Sequence, residues 1–486
     1  MRRIFGAVPA AFIAVAVVGL ALAPNGMAQA MVRTAAPWDF NGDGYQDFVA
    51  SAPRATVSGH RHAGAIGVLN GSGAGLDLAS ARRLDQTLEF VPGTPDGGDE
   101  FGRVLTSGDF NGDGYADLAV CMPGEDTSAS RPKGVLTLMF GSAKGLNRGF
   151  NVIAPADLPA SQWCVGLASA DFNQDGYADL GIVGPRGFVA YGGPRFALPG
   201  GVRLNALLAG EYTYLSHPTT GDIDSDGFPD LVLTALEEKD GYAQYLRVYR
   251  GGSDGLPTRR PTQDIPIGPP EGHEVLAIAV GDINGDGYAE TAVGFNTQFP
   301  GPTEGAGEVQ VWSGSRTGIV TSKEPMLITQ DSPGIPDASE KWDQFGTSLA
   351  LADVNGDGYA ELAIGAPQEG IDASAKAGAV TVIPGSATGP RLNWSTQYSQ
   401  NTAGILGRSE TDDLFGHTVA FRDFNNDGRP ELVVGSIGED DVRNGEGAVH
   451  VLRGTRAGLT TGGSIILLPT RFGIAPAWAR FGTALG

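Results

Sequence analysis

The chain has 486 residues and carries 33 Lys and Arg against 55 Asp and Glu, a formal charge of −22. That balance excludes the clustered basic surface needed to bind nucleic-acid phosphates. Its 74 Gly and scattered short apolar runs, with little helical periodicity, point to a turn-rich all-β protein rather than a helical or disordered one.

In chain order, the first element is a leader. Arg2 and Arg3 precede an apolar stretch from Ala7 to Ala23, followed by Ala28-Gln29-Ala30. This is the layout of a secretory signal peptide (1–30) cleaved after about Ala30. An uncleaved anchor and a twin-Arg export signal are the alternatives. No later segment approaches a membrane span, so the mature chain, with charge −24, is expected to be secreted and extracellular.

An acidic nonapeptide follows and returns six times: DFNGDGYQD at 39, DFNGDGYAD at 109, DFNQDGYAD at 171, DIDSDGFPD at 222, DINGDGYAE at 282, DVNGDGYAE at 353 and DFNNDGRPE at 423. Repetition at intervals of 51 to 71 residues marks a repeat architecture. Around each copy the order is constant. An FG start opens an apolar run (FGRVLTSG at 101, FGTSLALA at 345, FGHTVAFR at 415). The nonapeptide comes next, then a buried-type strand (DLAVCMP at 117, ELAIGAP at 361, ELVVGSI at 431). A third, alternating strand (GVLTLMFGS at 134, GEVQVWSGS at 307, GAVTVIPGS at 378) leads through a Gly-Ser-type turn to an outer strand.

Four short strands repeated seven times predict an all-β, seven-bladed β-propeller. No stretch of helical periodicity separates the strands, which excludes a parallel α/β fold. The expected blades are about 31–92 together with 479–486, then 93–155, 156–208, 209–268, 269–338, 339–408 and 409–478. The chain ends on ARFGTALG, a further FG start without a loop, so 481–486 is expected to pair into blade 1 and close the ring, the alternative being a fragment cut inside an eighth repeat.

The nonapeptide places side-chain oxygens at positions 1, 3, 5 and 9, a backbone carbonyl at position 7, and Gly at position 6 for the reversal. That suits a hard cation wanting six to eight oxygens. Copy 1 offers Asp39, Asn41, Asp43, Tyr45 and Asp47; copy 2 offers Asp109, Asn111, Asp113, Tyr115 and Asp117. Copy 3 offers Asp171, Asn173, Asp175, Tyr177 and Asp179; copy 4 offers Asp222, Asp224, Asp226, Phe228 and Asp230. Copy 5 offers Asp282, Asn284, Asp286, Tyr288 and Glu290; copy 6 offers Asp353, Asn355, Asp357, Tyr359 and Glu361. Copy 7 offers Asp423, Asn425, Asp427, Arg429 and Glu431. Position 12 is apolar (Ala50, Val120, Ile364, Val434), so the loop joins two strands and is not an EF-hand, and position 9 is the expected bidentate ligand. The expectation is up to seven structural Ca²⁺. Mg²⁺ fits less well because it prefers a near-ideal octahedron, and the lack of Cys and His disfavours Zn²⁺. The competing account is a set of metal-free Asx-turns. Seven divalent ions would bring the mature charge to −10.

The FG start, the acidic loop and the ending Gly365-Ala366-Pro367, with Ser51-Ala52-Pro53 and Met122-Pro123 as looser versions, resemble the FG-GAP repeats of integrin α-subunit propellers and their bacterial relatives. The resemblance covers nearly all of the mature chain and implies a seven-bladed propeller with calcium in the loops between first and second strands. Integrin α subunits carry such loops in only some blades, whereas here all seven have one. Blades 3, 4 and 5 depart at the FG position, reading Trp163-Cys164, Tyr214-Leu215 and a run from Val275.

No catalytic constellation stands out. The one G-x-S-x-G match, Gly251 to Gly255, falls in the turn after a third strand, and the six His are scattered. His60-Arg61-His62 reads as a solvated bend. Cys121 and Cys164 are the only cysteines and leave open a bridge or two buried thiols. Acidic loops at 94–100, 336–344, 409–414, 124–134 and 438–447 belong to the face opposite the nonapeptides. Loops of one propeller face commonly bind partners. The expected function is a monomeric, non-catalytic recognition or adhesion module for an extracellular protein or glycan. A lectin, or a polysaccharide lyase or hydrolase, is the alternative.

Overall fold

The computed structural model describes residues 34–486 apart from 126–133, 157, 159–162, 208–212, 239–241, 269–273, 298–302 and 441–444. The leader, His273 and parts of the acidic loops 124–134 and 438–447 lie outside the described residues.

The strands form seven antiparallel sheets in a ring, a seven-bladed β-propeller. Blade 2 shows the plan: Val104–Gly108, Asp117–Met122, Val135–Phe140 and Arg148–Ile153 pair in sequence order from the axis outward. Its second and third strands are buried at every position. They read as continuous apolar runs because neighbouring blades cover both faces. The outer strand is half-exposed.

Blade 1 has three strands of its own, Phe48–Ala52, Ala65–Asn70 and Asp77–Leu84. Its innermost strand comes from the other end of the chain. Val49 and Ser51 donate N–H groups to the carbonyls of Gly486 and Ala484, and Gly482 and Gly486 donate back to Ser51 and Val49. Phe481 is fully buried, and Thr418 of blade 7 donates its hydroxyl to the Gly482 carbonyl, so this segment bridges the last blade to the first.

The FG pairs explain themselves in packing. Phe101, Phe345, Phe415 and Phe481 have no exposed surface. Each inserts against the preceding blade, with Phe101 N–H donating to Ala63 and Phe415 N–H to Ala377. The partner segment must come close: a Cβ on Gly378 would lie 2.2 Å from the Phe415 carbonyl oxygen, and Gly378 has φ +89°. In blade 3, Cys164 stands where the Gly of FG would be and adopts φ 62°, so Trp163-Cys164 is the altered FG pair. Cys164 is disulfide-bonded to Cys121 of blade 2, with Cα atoms 5.8 Å apart. The described residues contain no helix long and apolar enough to cross a membrane.

Candidate metal centres

In blades 2 to 7 the nonapeptide joins the innermost strand to the second, in blade 1 it leads directly into the second, and in every copy its residues are graded by burial. Position 2 is an apolar anchor with essentially no exposure in every copy, from Phe40 and Phe110 to Val354 and Phe424. Position 9 is buried in every copy, Asp117, Asp179 and Asp230 completely. Position 5, Asp43 through Asp427, faces solvent. The acidic cluster therefore lies at a lip, one carboxylate inside and one outside.

Backbone hydrogen bonds hold this shape. Both oxygens of the position-1 carboxylate are used: Asp39 accepts N–H from Asp43 at 3.1 Å and from Gly44 at 2.9 Å, and Asp171, Asp353 and Asp423 repeat the pattern. Asp43 accepts the N–H of Tyr45. Position 9 reaches further. Asp47 accepts N–H from Phe40 and from Gly71 at the turn after the third strand, and Asp117 does the same with Phe110 and Gly141. In blades 5 to 7 the longer Glu takes the position-2 N–H on one oxygen and the position-3 Asn amide on the other. Position 9 thus anchors the loop while retaining lone pairs on both oxygens.

The loops also join blades. The Asp39 carbonyl accepts N–H from Ala116 in the next loop, as Asp109 does from Ala178 and Asp282 from Ala360. The Phe40 carbonyl accepts N–H from Ser142 in blade 2, and round the ring Phe424 of blade 7 accepts it from Ser72 of blade 1. Position 8 is Pro229 or Pro430 in blades 4 and 7, so Asp171 and Asp353 lack the first of these bonds. The Tyr ring at position 7 packs on the neighbouring loop: a Cβ on Gly42 would meet Tyr115 at 2.8 Å, and one on Gly285 would meet Tyr359 at 2.7 Å.

The electrostatics call for a cation. Burial, reinforced by the neighbouring loop carboxylates (positions 1 and 5, or 3 and 5 for Asp230), pushes Asp47, Asp179, Asp230, Glu290, Glu361 and Glu431 up to about 7, and Asp117 well above the usual carboxylate range. Among the described residues, basic side chains pair with only two loops. Arg250 meets Asp224 in loop 4, and Arg429 lies 3.8 Å from Asp427 in loop 7. In loop 4, Asp222, Asp224 and Asp230 place oxygens within 4.8 Å of one another. At position 3, Asp224 Oδ1 and Asn355 Oδ1 are buried without a hydrogen-bond partner. An all-oxygen donor set with orphaned acceptors and surplus negative charge fits Ca²⁺. The residues that would hold it are those at positions 1, 3, 5 and 9.

Two features were not read from the sequence: the glycine N–H groups that meet position 9, and a second acidic joint on the other face. There Glu340, Asp343 and Glu369 converge within 4.8 Å, as do Glu410, Asp413 and Glu439. Gln330 and Gln400, from the preceding blades, donate to Glu369 and Glu439. The sequence showed these acids as loop charge, without showing that Asp343 and Glu369 are buried.

Family models match the chain as FG-GAP repeats over residues 32–69, 101–134, 345–383 and 415–452, and as an FG-GAP-like repeat over 222–293. Phosphatidylinositol-glycan-specific phospholipase D of Bos taurus is 30% identical over 161 residues, covering 33% of this chain and 18% of that protein. Integrin alpha-7 of Rattus norvegicus is 33% identical over 153 residues, covering 30% and 12%. Integrin alpha pat-2 of Caenorhabditis briggsae is 29% identical over 237 residues, covering 45% and 17%. The chain therefore spans less than a fifth of each of these relatives. Among solved structures, an exotype rhamnogalacturonan lyase aligns over 72% of both chains at 13% identity and a TM-score of 0.33.

Proposed function

We propose that this chain, whose blades carry FG-GAP repeats, is a secreted, calcium-stabilised propeller acting as a non-catalytic recognition and adhesion module for an extracellular protein or glycan. The observation carrying this reading is the loop itself: seven copies bury an acid at position 9 and offer only oxygen donors, and six of them are hydrogen-bonded to the next blade. Bound Ca²⁺ would supply the positive charge that lets three carboxylates converge. The chain's own residues do the rest: position 1 shapes the turn, position 9 anchors it, and in five loops the position-2 carbonyl fastens it to the neighbouring blade.

The partner surface is proposed on the opposite face, where Glu340, Glu410 and Asp412 are exposed. Similarity to integrin alpha chains supports a recognition role, and the leader-like N-terminus supports export. The test is a glycan array and an extracellular-protein panel probed in calcium and in EDTA, run beside hydrolase and lyase screens. Calcium-dependent binding that Glu340→Lys and Asp412→Lys abolish is the expected result. Turnover of a polysaccharide, or binding indifferent to both variants, would overturn it.

A further inference from the structure

The innermost strands run from the FG end to the acidic loop, so the residue after each FG faces the axis at the end of the channel away from the nonapeptides. Those residues are Arg103, Thr347, His417 and Thr483, and together with His217 of blade 4 they line a cavity of about 530 Å³. Two residues further along each strand the lining turns to hydrocarbon, with Leu349, Val419 and Leu485.

Charge at this mouth is opposite in sign to the rest of the molecule. Arg480, just before its FG pair, is close enough to Arg54 and Arg103 that their repulsion adds to burial in lowering its affinity for its proton. His417 feels Arg480 and Arg103 in the same way, and burial holds both His217 and His417 neutral, with values near about 4. Among the described residues, the only carboxylate paired with these three arginines is Glu100, 3.9 Å from Arg103 at the half-exposed rim. Arg103 at the cavity thus has a second guanidinium, Arg480, near it and one half-exposed carboxylate as countercharge, in a chain of net charge −22.

The other polar groups are largely committed. Thr347 and Thr483 donate their hydroxyls to the carbonyls of Gln344 and Arg480, and His217 Nδ1 is bonded to Thr234. His417 Nδ1 is buried without a partner. Besides that ring nitrogen, the donors left for a ligand are guanidinium N–H groups, whose planar fork matches a carboxylate. A cleft with low-dielectric walls focuses their field. A bare inorganic anion would satisfy the mouth and leave the hydrocarbon below it wet.

We propose that the FG-side mouth of the central channel binds a small organic acid, its carboxylate held by Arg103 and Arg480 and its apolar body lying against Leu349, Val419 and Leu485. The site depends on the innermost strands and not on the nonapeptide loops, so it stands or falls separately from the calcium reading.

The test is calorimetric titration of the whole mature chain, in calcium, with phenylacetate, its neutral isostere phenylacetamide, acetate and inorganic phosphate. Phenylacetate should bind saturably, with acetate and phenylacetamide each weaker by about tenfold or more. Arg480→Gln and Arg103→Gln should each weaken phenylacetate about tenfold. Arg54→Gln serves as a third variant should either fold poorly, with a smaller loss expected. Equal binding of phenylacetamide, tighter binding of phosphate, no saturable heat at millimolar phenylacetate, or variants that bind as the parent does would each overturn the assignment.

Discussion

Asp117 has no surface open to water, and its oxygens accept N–H groups from Phe110 on one side and Gly141, a third strand away, on the other. Hydrogen bonds to a charged acceptor contribute about 1.5–3 kcal/mol each, against which burial of an uncompensated charge works. The balance therefore depends on whether a cation is present. Asp117→Ala should destabilise the chain by about 2–4 kcal/mol in calcium and by clearly less in EDTA, as read by urea unfolding. Equal losses in both would separate the anchor from the ion. A second expectation follows from Arg250 and Arg429, which place positive charge beside loops 4 and 7. In a calcium titration those two loops should fill last, and Arg250→Gln should tighten loop 4. The candidate ligands were legible in the sequence because the nonapeptide is contiguous. Their partners were not. Gly141 lies 24 residues beyond Asp117, yet Gly192 lies only 13 beyond Asp179, so no fixed offset betrays the bond.

Most neighbouring blades are fastened by nonapeptides at one end of the innermost strands, and four junctions are fastened by FG pairs at the other. The FG joint tolerates little bulk. Gly378→Ala would push a Cβ against the Phe415 backbone at a φ of +89°, and it should lower stability by about 2–4 kcal/mol in a thermal melt. The corresponding joint between blades 5 and 6 buries Asp343 and Glu369 together. Burial, with repulsion from Glu340 and Asp337, raises Asp343 to about 6, and burial, with repulsion from Asp343 and Asp337, raises Glu369 to about 8, from ordinary values of 3.8 and 4.5. Since the folded state then holds protons that the unfolded state has released, stability falls as pH rises from about 4 to about 8. Glu369→Gln should flatten that slope and raise the melting temperature at the alkaline end while changing little at the acid end. A parallel, unflattened pH profile would show that the pair does not titrate this way. Strand order and the FG starts were readable because the periodic runs repeat. The altered pair Trp163-Cys164 became certain only from the backbone, where Cys164 takes the glycine-like φ of 62°. The acidic joint escaped notice because exposed and buried loop acids look alike in a sequence.

A ring has no free edge only if its last sheet is completed, and here residues 482–486 complete blade 1 with four main-chain hydrogen bonds. Removing 481–486 also removes the buried Phe481, a loss of about 3–5 kcal/mol before the hydrogen bonds are considered. Calorimetry should therefore show a markedly lower transition for the shortened chain. The closure was foreseen from the orphan FG at the end of the chain. The loop-to-loop bonds, such as Ala116 to Asp39 and Ser72 to Phe424, were not, since they depend on which blades touch. Where those bonds are made, each proposed ion also bears on the neighbouring blade. The most direct measurement is a crystal structure grown in millimolar calcium, with anomalous difference maps at the nonapeptides. The account predicts peaks about 2.3–2.6 Å from the oxygens at positions 1, 3, 5 and 9, strongest in loops without a neighbouring arginine. Nonapeptides without density in ample calcium, their carboxylates hydrogen-bonded as Asx-turns alone, would contradict it.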